Sequence, residues 1–139
     1  MTTTRLEHDL LGDREVPAEA YYGVHTLRAQ ENFQISGITI ATMPELIVAL
    51  AAVKAAAAEA NAELGLLPEG QRDAIVAACT EIRCGALHDQ FVVDVIQGGA
   101  GTSTNMNANE VIANRALELL GHDRGEYEAL HPLDDVNMS

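Results

Sequence analysis

Hydrophobic positions along this chain recur mainly at helical spacing, and the strongest block begins at Thr42. Thr42-Met43-Pro44-Glu45 reads as a capping box with proline in the first helical turn. Leu46, Leu50, Val53, Ala57 and Leu64 then fall on one helical stripe, and Gly65 closes the element. The alanine run from Ala49 to Ala60 has high helix propensity and lets a second helix approach closely. That second helix starts at Pro68 or shortly after, carries Ile75, Cys79 and Ile82, and ends at Gly85; with the first it forms an αα-hairpin. A third helix runs from about Thr102 to Leu120, with Val111 or Ile112, Ala116 and Leu119 toward the core.

The flanking segments read differently. Met1 to Thr4 is a polar tail of the kind that frays. Residues 5 to 17 mix charges with Leu6, Leu10, Leu11 and Val16, and Gly12-Asp13 between them signals the turn of a short hairpin or extended arm. Tyr21 to Phe33 suits a short helix with Val24, Leu27 and Arg28 on one side. In residues 86 to 97, Val92, Val93, Val95 and Ile96 suit a strand by propensity. With no repeat, linker or boundary, residues 1–139 read as a single domain.

Candidate chemistry concentrates in Gln97-Gly98-Gly99-Ala100-Gly101-Thr102-Ser103-Thr104-Asn105. The glycines let the backbone turn tightly and leave its N–H groups open. The hydroxyl residues Thr102, Ser103 and Thr104 then enter a helix, whose N-terminus carries unpaired N–H groups and the positive end of the macrodipole. Two readings fit: an anion site, or an ordinary capped helix start. The phosphate patterns do not fit. No lysine follows the glycines, and Gly99-Ala100-Gly101 lacks the third glycine of a dinucleotide fingerprint. A dicarboxylate suits the loop better. Asn105, Asn107 and Asn109 are poor helix formers, which points to hydrogen-bonding duties at a site or in a buried structural network.

Composition sharpens this picture. Aromatic residues make up 4% of the chain and Trp is absent, so the core is built from Ala, Leu, Ile and Val, which favours packed helices. Twenty-one acidic against eight basic residues give a net charge of −13, which argues against nucleic acid and anionic membrane surfaces. An acidic protein that takes an acidic ligand must use local donors against its own field. Cys79 and Cys84 fit neither a disulfide framework nor a zinc pattern and read as buried small hydrophobes. The chain shows no leader or membrane-spanning run, so a soluble cytoplasmic protein is the default expectation. His25 reads as a packed or solvated histidine, and His88-Asp89 as a buried structural pair.

Gly98-Gly99-Ala100-Gly101-Thr102-Ser103, with Asn105-Met106-Asn107 and Asn109-Glu110-Val111, closely resembles the first signature region of the aspartase/fumarase superfamily. Asp9-Leu10-Leu11-Gly12, Arg14-Glu15-Val16-Pro17, Ala20-Tyr21-Tyr22-Gly23, Arg28-Ala29, Glu31-Asn32-Phe33 and Asp89-Gln90-Phe91 extend the resemblance from about Arg5 to Ser139. The resemblance implies an all-α N-terminal lyase domain with a short extended N-terminal arm, in which residues 86 to 97 are irregular or helical. It also implies a homotetramer around a central helix bundle, with active sites assembled from three subunits. The implied reaction is anti elimination that yields fumarate without metal or organic cofactor. A loop serine removes the Cβ proton, and hydrogen bonds to the β-carboxylate stabilise the aci-carboxylate.

Carried over by residue, Thr102 and Ser103 match the hydroxyl groups that bind this carboxylate, and Gly99 and Gly101 shape the loop and offer backbone donors. Thr104 and Asn105 are further candidates. His131 resembles the histidine of a secondary dicarboxylate site, although Leu133 stands where asparagine is usual. That departure, with the Tyr21 to Thr26 stretch and Gly98-Gly99-Ala100-Gly101, tilts the reading to the ammonia-eliminating branch over the hydratase branch. The family's later signatures, including the catalytic-base loop and a substrate-binding lysine, fall beyond Ser139, so no catalytic base is expected within this chain. Neither Ser139 nor Lys54, inside the alanine-rich helix, replaces them. Two expectations result: part of a lyase with the whole enzyme's function, or a silent helical module acting only by association.

Overall fold

A computed structural model describes residues 3–138; Met1, Thr2 and Ser139, and with them half of the expected N-terminal tail, lie outside the described residues. The chain opens with an antiparallel hairpin, β1 (Thr4–Asp9) and β2 (Gly12–Pro17), in which Arg5 faces Val16 and Asp9 faces Gly12. Thr4 is therefore paired. The turn is Leu10-Leu11, two residues before the expected Gly12-Asp13, because the Leu11 amide donates to Asp9 Oδ1 at 2.9 Å and closes the chain there. Arg5 stitches the hairpin to the connecting residues 17 to 22, donating to the carbonyls of Pro17, Ala18, Ala20 and Tyr22.

The remainder of the frame is four helices: α1 (Val24–Asn32), α2 (Pro44–Glu63), α3 (Glu69–Arg83) and α4 (Thr102–Leu119). Arg28 on α1 grips Asp9 through two hydrogen bonds of 2.7 and 2.8 Å, which ties the hairpin tip to the first helix. The buried side of α1 is Val24, Thr26 and Ala29; the expected Leu27 and Arg28 stay at its margin. The αα-hairpin of α2 and α3 forms as expected, and α3 buries Ile75, Cys79 and Ile82 with Ala74 and Ala78.

Several local readings change. The capping box does not form: Thr42 ends a single helical turn, Ile40–Thr42, and its hydroxyl donates to Thr39 O at 2.8 Å while Met43 takes the capping position. Pro44 does occupy the first turn. The buried stripe of α2 is Ile47, Ala51, Lys54, Ala58 and Asn61, one face around from the expected one, which leaves Val53 63% and Leu64 73% exposed. An almost uniformly apolar helix has no single face for periodicity to select, so the alanines that let α3 approach decide it. On α4, Val111, Ile112 and Ala116 are buried as expected, but Leu117 takes the inward place given to Leu119. Cys79 is buried, whereas Cys84 lies past the end of α3 and is exposed.

No strand forms over residues 92 to 96 among the described residues; a single bridge joins Thr39 to Asp94. Propensity loses here because Asn107 Oδ1 takes the Val92 amide at 2.9 Å, occupying the donor a partner strand would need. His88 and Asp89 do not form a buried pair: His88 Nε2 meets Ile82 O at 2.8 Å and Asp89 is exposed. The core gathers around α4, with α2 and α3 on one side and α1 on the other, and the last described turn, Pro132–Val136, wraps its flank. Among the described residues no helix is long and apolar enough to cross a membrane.

Candidate functional site

The glycine loop enters α4 through two left-handed positions, Gly99 at φ +80° and Gly101 at φ +82°, which L side chains disfavour. Gly98 lies against Phe33, where an added Cβ would stand 3.2 Å from the ring. Gly101 occupies the N-cap and has no side chain to cap with, so Gln97 does so from the loop. Its Oε1 accepts from the Thr104 amide at 3.1 Å, and its Nε2 donates to Thr104 Oγ1 at 2.7 Å and to Asp94 O at 2.9 Å. Asp94 anchors the other end, accepting from the Ser36 and Gly37 amides at 2.8 and 2.9 Å and from Ser36 Oγ at 2.7 Å. These donors, led by the Ile96 amide, hold its carboxyl far below the usual carboxylate range.

Thr102 and Ser103 thus begin α4 on a loop clamped at both ends. Thr102 is exposed and Ser103 half-buried, and the amides of these first two positions have no intrahelical acceptor. Thr104 is engaged by Gln97. Asn105 Nδ2 donates to Asn137 Oδ1 at 3.0 Å, and Lys54 Nζ reaches the same oxygen at 2.9 Å. The geometry can hold a carboxylate at Thr102 and Ser103 through hydroxyls, amides and the helix dipole together.

Farther along, the polar residues of α4 turn inward. Asn107 holds Val92 N and Gln90 O; Asn114 accepts from Gly125 N at 2.8 Å and donates to Tyr21 O at 2.7 Å. Both are structural. Asn109 is buried with its Oδ1 unpartnered among the described residues. Glu110 caps α1: its carboxylate accepts from the Thr26 amide and hydroxyl at 2.8 and 2.6 Å and from the His25 amide at 3.1 Å. Glu7 accepts from the neighbouring Val24 amide at 2.8 Å. Burial pushes the Glu110 carboxyl up to about 7, against the pull of the Thr26 donors and with the charge of Glu7 adding to the rise. Tyr127, whose hydroxyl donates to Glu7, is also pushed well up by burial.

His131 stands apart from the glycine loop, in a groove of about 500 Å³ shared with His25, Arg28, Leu10 and Leu133. Its Nδ1 accepts from the Leu133 and Asp134 amides at 3.1 and 3.3 Å. Burial lowers the His25 pKa, which favours the neutral ring. Among the described residues no cluster of His, Cys, Asp and Glu is arranged to hold a metal ion. Sequence reasoning did not find Gln97, Asp94, Glu7 or Glu110. A glutamine four residues before the glycine N-cap was the one available signal.

The loop and its helix match a known pattern. The family described as Lyase matches residues 12–139. The chain belongs to this lyase family, within the aspartase/fumarase superfamily. It is 61% identical over 139 residues to an aspartate ammonia-lyase of Pseudomonas aeruginosa, covering 100% of this chain and 29% of that protein. It is 60% identical over 134 residues to an aspartate ammonia-lyase of Escherichia coli K12, covering 96% and 28%. Among solved structures, a fumarate lyase:delta crystallin from Brucella melitensis in native form superposes with a TM-score of 0.96 at 61% identity, over 97% of this chain and 30% of that one. A class II fumarase from Schistosoma mansoni gives 0.90 at 38% identity, over 97% and 28%. The chain spans less than a third of the length of these relatives. The all-α reading with an N-terminal hairpin agrees with these folds.

Proposed function

We propose that this chain supplies the carboxylate-binding loop of an aspartate ammonia-lyase, which reversibly eliminates ammonia from L-aspartate to give fumarate. The observation that carries the reading is the clamped loop, in which Gly99 and Gly101 turn the backbone so that Thr102 and Ser103 present hydroxyls and free amides at the start of α4. A base removes the Cβ proton, the electron pair moves into the β-carboxylate as an aci-carboxylate, and collapse of that dianion forms the double bond and expels the amine. Charge grows on the carboxylate oxygens in the transition state, where fixed donors count most. Thr102 and Ser103 are assigned as those donors, Gly99 and Gly101 as shapers of the loop, and Thr104 and Asn105 as support through Gln97 and Asn137.

The base belongs to a segment outside this chain, and the reading needs no metal or organic cofactor. It includes a homotetramer, as the family resemblance implies, and a cytoplasmic location. A hydratase acting on malate would use the same loop; the higher identity to ammonia-lyases than to the fumarase favours ammonia elimination. The test is an ultraviolet assay for fumarate with L-aspartate and with L-malate, on this chain and on a full-length protein carrying it. Aspartate turnover in the longer protein alone supports the proposal. Malate turnover alone makes it a hydratase, and no turnover by either protein leaves a helical module that acts by association.

A further inference from the structure

Lys54 is the single lysine of the chain and is 7% exposed in the middle of α2. Its ammonium donates to an uncharged acceptor, Asn137 Oδ1. The other deeply placed cations have carboxylates: Arg5 sits on Glu7 and Arg28 on Asp9. Among the described residues none of the 21 acidic side chains lies within ion-pair distance of Lys54. The titratable neighbour is the Cys79 thiol, which burial pushes up to about 12 and so keeps neutral. An ammonium taken out of water without a counter-charge is expensive, and burial lowers its pKa accordingly. The charge is left for a partner outside the described side chains. Asn137 Oδ1 also takes Asn105 Nδ2, one turn into α4, so two hydrogen bonds connect the ammonium to the helix start where Thr102 and Ser103 stand.

We propose that Lys54 is a positioning residue for the anion bound at the glycine loop, its buried ammonium supplying the positive charge that a dicarboxylate brings into balance. The inference rests on the carboxylate site proposed above. Lys54 does not touch the ligand; it acts through Asn137, whose Oδ1 it shares with Asn105 at the start of α4.

The test is calorimetric titration of the full-length protein with succinate, a dicarboxylate with no group to eliminate, alongside thermal unfolding. Lys54→Met keeps the volume and removes the charge. It should hold or raise Tm, as hydrophobic replacements of buried ions often do, while weakening succinate about tenfold. Lys54→Arg should recover part of that affinity. Asn137→Asp gives Lys54 its own counter-charge and should weaken succinate similarly in a folded protein, which decides the matter if Lys54→Met does not fold. Unchanged succinate affinity in both Lys54→Met and Asn137→Asp, with Thr102→Val weakened, overturns the role of Lys54 and leaves the carboxylate site standing. A Thr102→Val variant that binds like the wild type, or a wild type that does not bind, overturns the site and the role of Lys54 with it.

Discussion

Along α4, Thr102, Ser103 and Asn105 in the first turn are short polar residues, as are Asn107, Asn109 and Asn114 below them, yet the first group borders solvent while the second is 0% exposed. Asn107 and Asn114 satisfy backbone groups of the segments they pack against. Thr102 and Ser103 begin the helix with amides still available. Both groups are short and polar; position relative to the core separates the scaffold from the residues proposed as a site. Two of the three buried carboxylates repeat the lesson. Asp94, ringed by backbone amides and the Ser36 hydroxyl, is held as a carboxylate, whereas burial favours the proton on Glu110 despite its three donors.

The strongest way to break this contrast is at Gly23, which faces the buried half of α4. Its φ of −122° suits any residue, but a Cβ there would lie 2.1 Å from Glu110 Oε2 and 2.6 Å from the Tyr127 hydroxyl. Gly23→Ala should cost more than about 4 kcal/mol, read as loss of the cooperative urea transition. The next largest effect is a pH dependence. Glu110 binds its proton more tightly folded than unfolded, so its contribution to stability is full below about pH 4.5 and is lost as pH rises to about 7. That amounts to about 3 kcal/mol. Asp9, Glu81 and Glu118, whose pKa values are lowered, contribute in the opposite sense, being lost as pH falls below the usual carboxylate range. Urea midpoints of the wild type should therefore decline between about pH 5 and about pH 7, the large Glu110 shift outweighing His25, whose lowered pKa acts in the opposite sense over that range, and Glu110→Gln should flatten that slope; an unchanged slope would remove Glu110 as its source.

At the open half, Thr102→Val and Ser103→Ala in a full-length protein should each slow turnover by an order of 10²-fold with little change in unfolding midpoint. Equal kinetics in both would take the loop out of the reaction. The smallest effect belongs to Gly101→Ala. Here the backbone, at φ +82°, is the obstacle and the space is open, so a strain of about 1 kcal/mol is expected from denaturation curves. Gly23 and Gly101 are thus both required to be glycine, one for room and one for conformation.

Much of the helical frame was legible from spacing. Pro44, Gly65, Pro68 and the glycines before Thr102 are local signals, and the helices begin and end at or near them. The glycine loop was legible for the same reason. The face of α2, the capping role of Gln97 and the burial of Glu110 were not, and residues 92 to 96 were legible as irregular only through the family resemblance, against their strand propensity. Each depends on a partner outside the local pattern: α3 against the alanines, Thr104 against Gln97, Asn107 against Val92, Thr26 against Glu110.

The sequence by itself determined where the main helices of this chain lie and which family it resembles. Backbone propensity, proline and glycine act within a few residues, and the loop signature is contiguous. Only the tertiary structure decided which polar residues became scaffold and which stayed available, because desolvation and hydrogen-bond satisfaction depend on what packs against each group.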